Sequence, residues 1–360
     1  MNKKMIASIG AGLVFSCAAL YLAFRNIPVK DLLHYFGSVN YLWLVPAGAI
    51  AVLSFILRVF RWQLILKTTR HVPFINVYHP LMIGFMLNCI LPGRLGEIAR
   101  PVILLKKENI PFSTGLGSIV TERLFDMICL IALLALVLSI VPIDPSLSVS
   151  VGDYKISGAT LESVSSGMTR LCLVVILGVV LVSVRKSREA IAALFLKIPG
   201  ALFFLSASYK KKCEKNIIRP LIQLMDHFAQ GLSLFQRPGK TIACLLLSLT
   251  IWLVQALSYH VMTFSCPGIH ISFFQTMTVM IMICFFIALP SVPGYWGLWE
   301  AGGLFALSLF SVAGDQAAGY TLINHVVQIL PVMVAGMISA FILGINIKHL
   351  YKSIPQRHLT

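Results

Sequence analysis

Asn88-Cys89-Ile90-Leu91-Pro92-Gly93-Arg94-Leu95-Gly96-Glu97 and Leu289-Pro290-Ser291-Val292-Pro293-Gly294-Tyr295-Trp296-Gly297-Leu298-Trp299-Glu300 carry one local pattern twice, each time inside a long apolar stretch. Both contain Pro-Gly-x-x-Gly with a glutamate just beyond, Glu97 in the first and Glu300 in the second. Proline removes a backbone donor and glycine frees the dihedral angles, so both segments are predicted to interrupt a helix. Broken backbone at membrane depth is tolerated only where it is buried in protein or lines a watery cavity. A matched pair of such breaks in two halves of a chain points to a transporter's binding site.

The surrounding sequence sets the fold class. A hydrophobic fraction of 58%, a charged fraction of 12% and a mean hydropathy of +0.87 lie far outside a soluble profile. Met5–Phe24 carries no charge and is long enough to cross a hydrocarbon core of roughly 30 Å. Phe15 is too bulky for a signal-peptidase site, so this segment reads as a retained first helix. Further spans are expected at 41–66, 116–142, 169–185, 241–262 and 322–347, with the interrupted regions at 77–105 and 273–313. The prediction is an all-α polytopic membrane protein with about six full spans plus two Pro/Gly-broken re-entrant hairpins. Eight or more spans preserve the same parity and stay open.

Charge placement orients this scheme. Eleven Lys/Arg lie between Arg185 and Lys240 against Glu189, Glu214 and Asp226, an excess of +8 within a chain of net +16. Flanked by spans, such a stretch marks a cytoplasmic loop meeting anionic lipid rather than nucleic acid. Within 186–240, Ala190–Leu196 and Ala201–Ala207 are apolar patches too short to span, and they are expected in the interface. Both termini then fall on the cytoplasmic side of a prokaryotic plasma membrane, and residues 1–360 form one integral-membrane domain. The two Pro-Gly segments enter from opposite faces, which is the arrangement of an inverted repeat.

Ionisable residues at membrane depth cost about 2.5–3.5 kcal/mol each on insertion scales, so each needs a partner or a role. Arg94, Glu97 and Arg100 are spaced i, i+3, i+6, one stripe on a helix, with Glu97 able to pair with either arginine. The helix start after Pro92-Gly93 adds free amides and a positive dipole end, together a phosphate or carboxylate site. A structural salt bridge closing the hairpin is the competing reading. Glu122, Arg123 and Asp126 open the next long helix and are expected to complement Arg94 or Arg100, or Arg58 and Arg61. Arg58, Arg61 and Trp62 also fit an interfacial belt. Glu300 has no cation near it in sequence and is surrounded by Tyr295, Trp296 and Trp299. Protonation, a distant arginine or a cationic headgroup are the ways to neutralise it. Asn324, His325 and Gln328 make the last span polar, with His325 expected to be an interhelical hydrogen-bonder.

The eight cysteines are scattered singly, which suggests neither a disulfide framework nor a zinc site. Gly239-Lys240-Thr241 resembles the end of a phosphate-binding loop, but Leu234 stands where its first glycine belongs. No nucleophile-and-base motif is found. No metal, cofactor or enzymatic activity is therefore expected.

Asn88-x-x-Leu-Pro-Gly-Arg-x-Gly-Glu-x-x-Arg-Pro101, Glu122-Arg123-x-x-Asp126 and Pro293-Gly294-x-x-Gly-x-x-Glu300 resemble the lysylphosphatidylglycerol synthase transmembrane-region family. This is the flippase-like module of the multiple peptide resistance factor, also found as stand-alone membrane proteins, and the resemblance covers about 5–347. It implies movement of lipid between leaflets, with aminoacyl transfer performed by a separate soluble domain that these 360 residues do not contain. Stand-alone members are linked to hopanoid or isoprenoid-glycolipid pathways. The expected ligand is thus an anionic or aminoacylated phospholipid or an isoprenoid lipid, with a lipid-synthesis enzyme as a candidate partner. Its phosphate is expected near Arg94 and Arg100, and a cationic or hydroxylated headgroup near Glu97 and Glu300. Asn88, Glu122, Arg123, Asp126, Tyr295 and Trp296 complete the expected site. The alternatives are a membrane-embedded transferase acting on a polyprenyl phosphate or glycolipid, with Glu97, Glu122 or Asp126 as base, and a non-catalytic partner of such an enzyme.

Overall fold

The apolar runs fold as helices, which satisfy every backbone donor and acceptor within one segment, as an apolar solvent requires. The computed structural model describes residues 27–91, 94–141, 184–201, 233–288 and 293–345 continuously. It adds 149–151, 154–156 and single positions within 14–25, 167–181 and 218–229. The expected spans 5–24 and 169–185 and the patch Ala201–Ala207 lie mostly outside the described residues, as does the tail beyond 345.

In chain order the helices are α1 (Val29–Ser38), α2 (Leu44–Leu66), α3 (Phe74–Ile90), α4 (Leu95–Glu108) and α5 (Phe112–Ile140). After them come α6 (Arg185–Ala201), α7 (Pro238–Thr263), α8 (Phe273–Ala288), α9 (Leu298–Ser308) and α10 (Gly314–Ile342). A small antiparallel ribbon, β1 (Val149–Val151) with β2 (Tyr154–Ile156), lies between α5 and α6 and pairs Val149 with Ile156. Among the described residues, four helical stretches are long and apolar enough to cross a membrane: Tyr41–Leu66, Phe112–Ile140, Pro238–Thr263 and Gly314–Ile342. The last begins before the expected residue 322, because Asp315 lies in its first turn, where the helix dipole favours an acid.

Polarity runs inside out. Leu53, Phe60, Leu138, Leu246, Leu330 and Phe341 on these long helices point outward, whereas Arg61, Glu122, Ser248, Ser258 and Asn324 are fully buried. Lipid is as apolar as leucine, so the outer face gains nothing by turning inward and the polar groups collect around one another. The protein is an all-α polytopic membrane protein.

α2 and α7 cross antiparallel at the centre. Ser258 Oγ donates to the Ala47 carbonyl (2.8 Å), Ser54 Oγ to Gln255 Oε1 (2.8 Å) and Arg61 Nη1 to Ser248 Oγ (2.9 Å). As numbers rise on α2 they fall on α7, so the two ends from which the hairpins depart, Leu66 and Thr263, are opposite. The first hairpin, α3–α4, has arms of 17 and 14 residues. The second, α8–α9, has arms of 16 and 11. At about 1.5 Å per residue none exceeds roughly 26 Å, short of a full hydrocarbon crossing.

Several packing relations in one half have counterparts in the other. α4 lies along α5 and α9 along α10, while α3 packs on α10 and α8 on α5, so each hairpin leans on the closing helix of the opposite half. The α3–α10 contact is sealed by Gly336, where a Cβ would meet the Met82 carbonyl at 2.8 Å. Within the first hairpin the backbones touch: a Cβ on Gly96 would stand 1.8 Å from the Gly84 carbonyl oxygen. These paired contacts are the arrangement that an inverted repeat would give.

Candidate functional site at the meeting of the two breaks

Both breaks put the residue two after the proline into the left-handed region, Arg94 at φ 54° and Tyr295 at φ 63°. A non-glycine residue there costs energy that the surrounding structure must over-determine. Both positions touch the other break. Arg94 Nη2 donates to the Ile287 carbonyl at the end of α8 (2.7 Å), and its guanidinium lies 6.0 Å from the Tyr295 ring centroid. Asn88 Oδ1 accepts the Gly96 amide (2.9 Å), closing the first break on itself. That bond already uses one of the amides expected to face an anion. The stripe pairing expected for Arg94, Glu97 and Arg100 does not form. Arg94 lies outside the helix at its N-cap and reaches across to the second hairpin, so Glu97 turns instead to Arg123 (Nε–Oε1 3.4 Å).

Behind the breaks lies an ion-pair network. Glu122 binds Arg100 Nη2 (2.7 Å), Arg123 Nη2 (3.0 Å) and Arg61 Nη2 (3.3 Å). Asp126 takes Arg61 through both oxygens (2.6 and 3.2 Å), with Trp252 Nε1 (3.2 Å) and Arg123 Nη1 (3.3 Å) beside them. Arg100 also stacks 4.0 Å over Trp62, whose indole donates to Ser118 Oγ (3.0 Å). Arg58, Arg61 and Trp62 therefore do not form an interfacial belt: all three are buried. The two arginines, three residues apart on α2, share the face turned towards Glu122 and Asp126.

A cavity of about 180 Å³ opens where the hairpin tips meet. Its charged lining is Arg58, Arg94, Arg123 and Glu97, its polar lining Asn88, Gln255 and Gln328. Trp252, Tyr259, Tyr295 and Trp299 supply aromatic walls. Three cations against one carboxylate make this an anion-attracting pocket, and the aromatic faces suit the apolar part of an amphiphile. Trp299 Nε1 is a buried donor with no partner.

Glu300 and His325 form a separate buried pair, each fully inaccessible. His325 Nδ1 lies 2.5 Å from Glu300 Oε1, His325 Nε2 lies 2.8 Å from the Gly294 carbonyl, and Glu300 Oε2 accepts the Gly297 amide (2.7 Å). A carbonyl can only accept, so Nε2 carries a proton, and a second proton must sit between Nδ1 and Oε1. The pair is neutral overall, and it pins the second break to α10. Trp299 stacks on the imidazole (4.5 Å, 3°). Glu300→Gln preserves both contacts of the carboxyl, its amide donating to Nδ1 and its oxygen accepting from Gly297. We expect that variant to unfold close to wild type, whereas Glu300→Ala, leaving a buried amide and imidazole unpaired, loses about 2–3 kcal/mol. Thermal unfolding of the purified variants measures both, and equal losses would contradict the shared-proton arrangement.

The paired breaks, the arginine–carboxylate network and the four long apolar helices extend over most of the sequence, and residues 9–336 match the lysylphosphatidylglycerol synthase TM region family. The chain belongs to that family. It is 25% identical to glycosyltransferase AglD of Haloferax volcanii over 363 aligned residues, 94% of this chain and 55% of that protein. The chain thus spans about half the length of that curated relative. A 48-residue stretch is 40% identical to a UPF0104 membrane protein of Methanocaldococcus jannaschii, covering 13% of this chain and 20% of that one.

In this member of the lysylphosphatidylglycerol synthase TM region family, the ten residues singled out in the sequence divide by position. Asn88, Arg94, Glu97, Arg123 and Tyr295 line the cavity. Arg100, Glu122 and Asp126 lie behind it in the ion-pair network, while Trp296 and Glu300 surround His325. The sequence does not single out Trp252, Gln255 or Tyr259, and it gives Arg58 two readings, partner of the α5 carboxylates or member of an interfacial belt. A glutamine in the middle of an apolar span is the one signal that marks this group: Gln255 Nε2 donates to Gln328 Oε1 (2.6 Å).

Proposed function

We propose that the chain moves an amphiphilic lipid between the leaflets of a prokaryotic plasma membrane, in the manner of a flippase or scramblase. One observation carries the reading: two inverted, broken hairpins meet at a cationic, aromatic-walled cavity, where a charged headgroup is received while its tails stay in lipid. Movement of either hairpin against the closing helix of the opposite half gives alternating access to such a site. Arg94 and Arg123 hold the phosphate, and Glu97 contacts a cationic or hydroxylated part of the headgroup. The segment 186–240, rich in Lys and Arg, faces the cytoplasm with the termini. Within it α6 carries Leu194 and Leu196 exposed, which fits an interfacial helix.

The test is translocation of labelled phospholipids in proteoliposomes. Arg94→Gly is the informative variant, because glycine adopts the left-handed conformation freely while removing the guanidinium. Loss of one charge-assisted hydrogen bond, about 1.5–3 kcal/mol, slows transport roughly tenfold to a hundredfold, with Glu97→Gln affecting cationic headgroups most. Wild-type rates equal to protein-free vesicles across lipid classes would overturn the reading.

The relative named a glycosyltransferase motivates a second reading, in which this module transfers a group to a lipid phosphate or serves an enzyme that does. It predicts a covalently changed lipid by mass spectrometry rather than a moved one.

A further inference from the structure

Among the described residues lining the cavity, Arg58 is a cation whose only carboxylate partner is distant. It is 7% exposed, and its Nε, like those of Arg61, Arg100 and Arg123, has no hydrogen-bond partner. Its nearest carboxylate, Asp126, is 4.0 Å away and already occupied by Arg61, Arg123 and Trp252. The guanidinium is held instead over the Trp252 ring, 5.1 Å from its centroid, at the cavity wall. A guanidinium does not lose its proton in a protein, so the charge persists. A buried charge without a hydrogen-bonded partner is costly to stability, and an anionic ligand in the cavity would offset that cost.

The number of charges defines that ligand. Around the cavity and the network behind it stand Arg58, Arg61, Arg94, Arg100 and Arg123 against Glu97, Glu122 and Asp126, five cations and three anions, leaving two positive charges. Glu300 and His325 share their proton and add nothing. A phosphodiester supplies one negative charge, whereas a phosphate monoester supplies about 1.5–2 at neutral pH and three acceptor oxygens. The cavity is lined by three guanidinium groups, as many as a terminal phosphate has oxygens.

We propose that Arg58, Arg94 and Arg123 form a phosphate-monoester subsite, so that a lipid monophosphate is bound in preference to a diester phospholipid. This rests on the reading of the cavity as a headgroup site, and it names the headgroup class.

The experiment measures the unfolding temperature of the full chain in detergent micelles against added phosphatidic acid, phosphatidylglycerol, phosphatidylcholine or inorganic phosphate. A ligand that binds only the folded state raises that temperature by mass action. Phosphatidic acid is expected to act at one tenth or less of the phosphatidylglycerol concentration, and inorganic phosphate only at far higher concentration than either. Arg58→Met is expected to abolish the preference while its ligand-free unfolding temperature stays level or rises, because an uncompensated buried charge has been removed. Equal response to the two anionic lipids overturns the proposal. So does inorganic phosphate acting as strongly as phosphatidic acid, or a fall in the ligand-free unfolding temperature of Arg58→Met, which would make Arg58 structural. Monoester preference without translocation in proteoliposomes defeats the flippase reading and leaves this inference standing. Arg94-dependent translocation of phosphatidylglycerol with no monoester preference does the reverse.

Discussion

Arg61→Met is expected to lower stability by about 3–5 kcal/mol. Arg61 is fully buried and binds both oxygens of Asp126, Ser248 Oγ and Glu122 together. Its removal leaves two interior carboxylates short of a partner, and breaking a buried pair costs far more than the pair contributes against an apolar replacement. It also frees Arg58 to move towards Asp126 and so out of the cavity. Stability and anion binding should therefore fall together. Arg61→Lys keeps the charge but loses the forked geometry, and should fall between the two. Thermal unfolding in detergent decides the matter. The contrast with Arg58→Met, one turn earlier on the same helix and of opposite sign, separates an arginine that holds the fold from one that waits for a ligand.

Gly96→Val is expected to disrupt the first hairpin. Its Cβ would stand 1.8 Å from the Gly84 carbonyl oxygen and 2.6 Å from Asn88 Oδ1, and the first of these is backbone that cannot rotate away. α3 and α4 must separate, the Asn88–Gly96 bond breaks, and Arg94 moves away from Ile287. The cost should lie at or above the top of the roughly 1–3 kcal/mol seen for overpacked cores. Gly48→Ala on α2 is the control, since its Cβ meets only Val327 Cγ1 at 4.0 Å, and alanine favours a helix by about 1 kcal/mol. Unfolding temperatures lowered for Gly96→Val and level or raised for Gly48→Ala are the expected pair. A Gly96→Val protein as stable as wild type would mean that the hairpin arms do not touch.

The elements were legible in sequence because their causes are local. Four long apolar runs could only be helices in lipid, and two Pro-Gly segments could only be breaks. What joins them was legible only in part. Glu122 was expected to complement Arg100 and does, but Glu300 meets His325 across turns of the chain, and Arg94 reaches a carbonyl 193 residues away. Hydropathy gives the same value to an arginine at the interface and to one folded inward, so Arg58 and Arg61 fitted both an interfacial belt and a pairing with Glu122 and Asp126, and only the α2 face that meets α5 decides for the pairing. Helical spacing also misassigned Glu97, because Arg94 lies in the left-handed conformation, outside the helix that the spacing assumed.

The most direct measurement of the central claim is a structure of the full chain determined by electron cryo-microscopy in nanodiscs containing phosphatidic acid. The account predicts lipid-phosphate density between Arg58, Arg94 and Arg123, within hydrogen-bond distance of Arg58, with acyl chains leading out to lipid. Lipid density confined to the outer helix surfaces, with the cavity holding only water and Arg58 drawn onto Asp126, would contradict it.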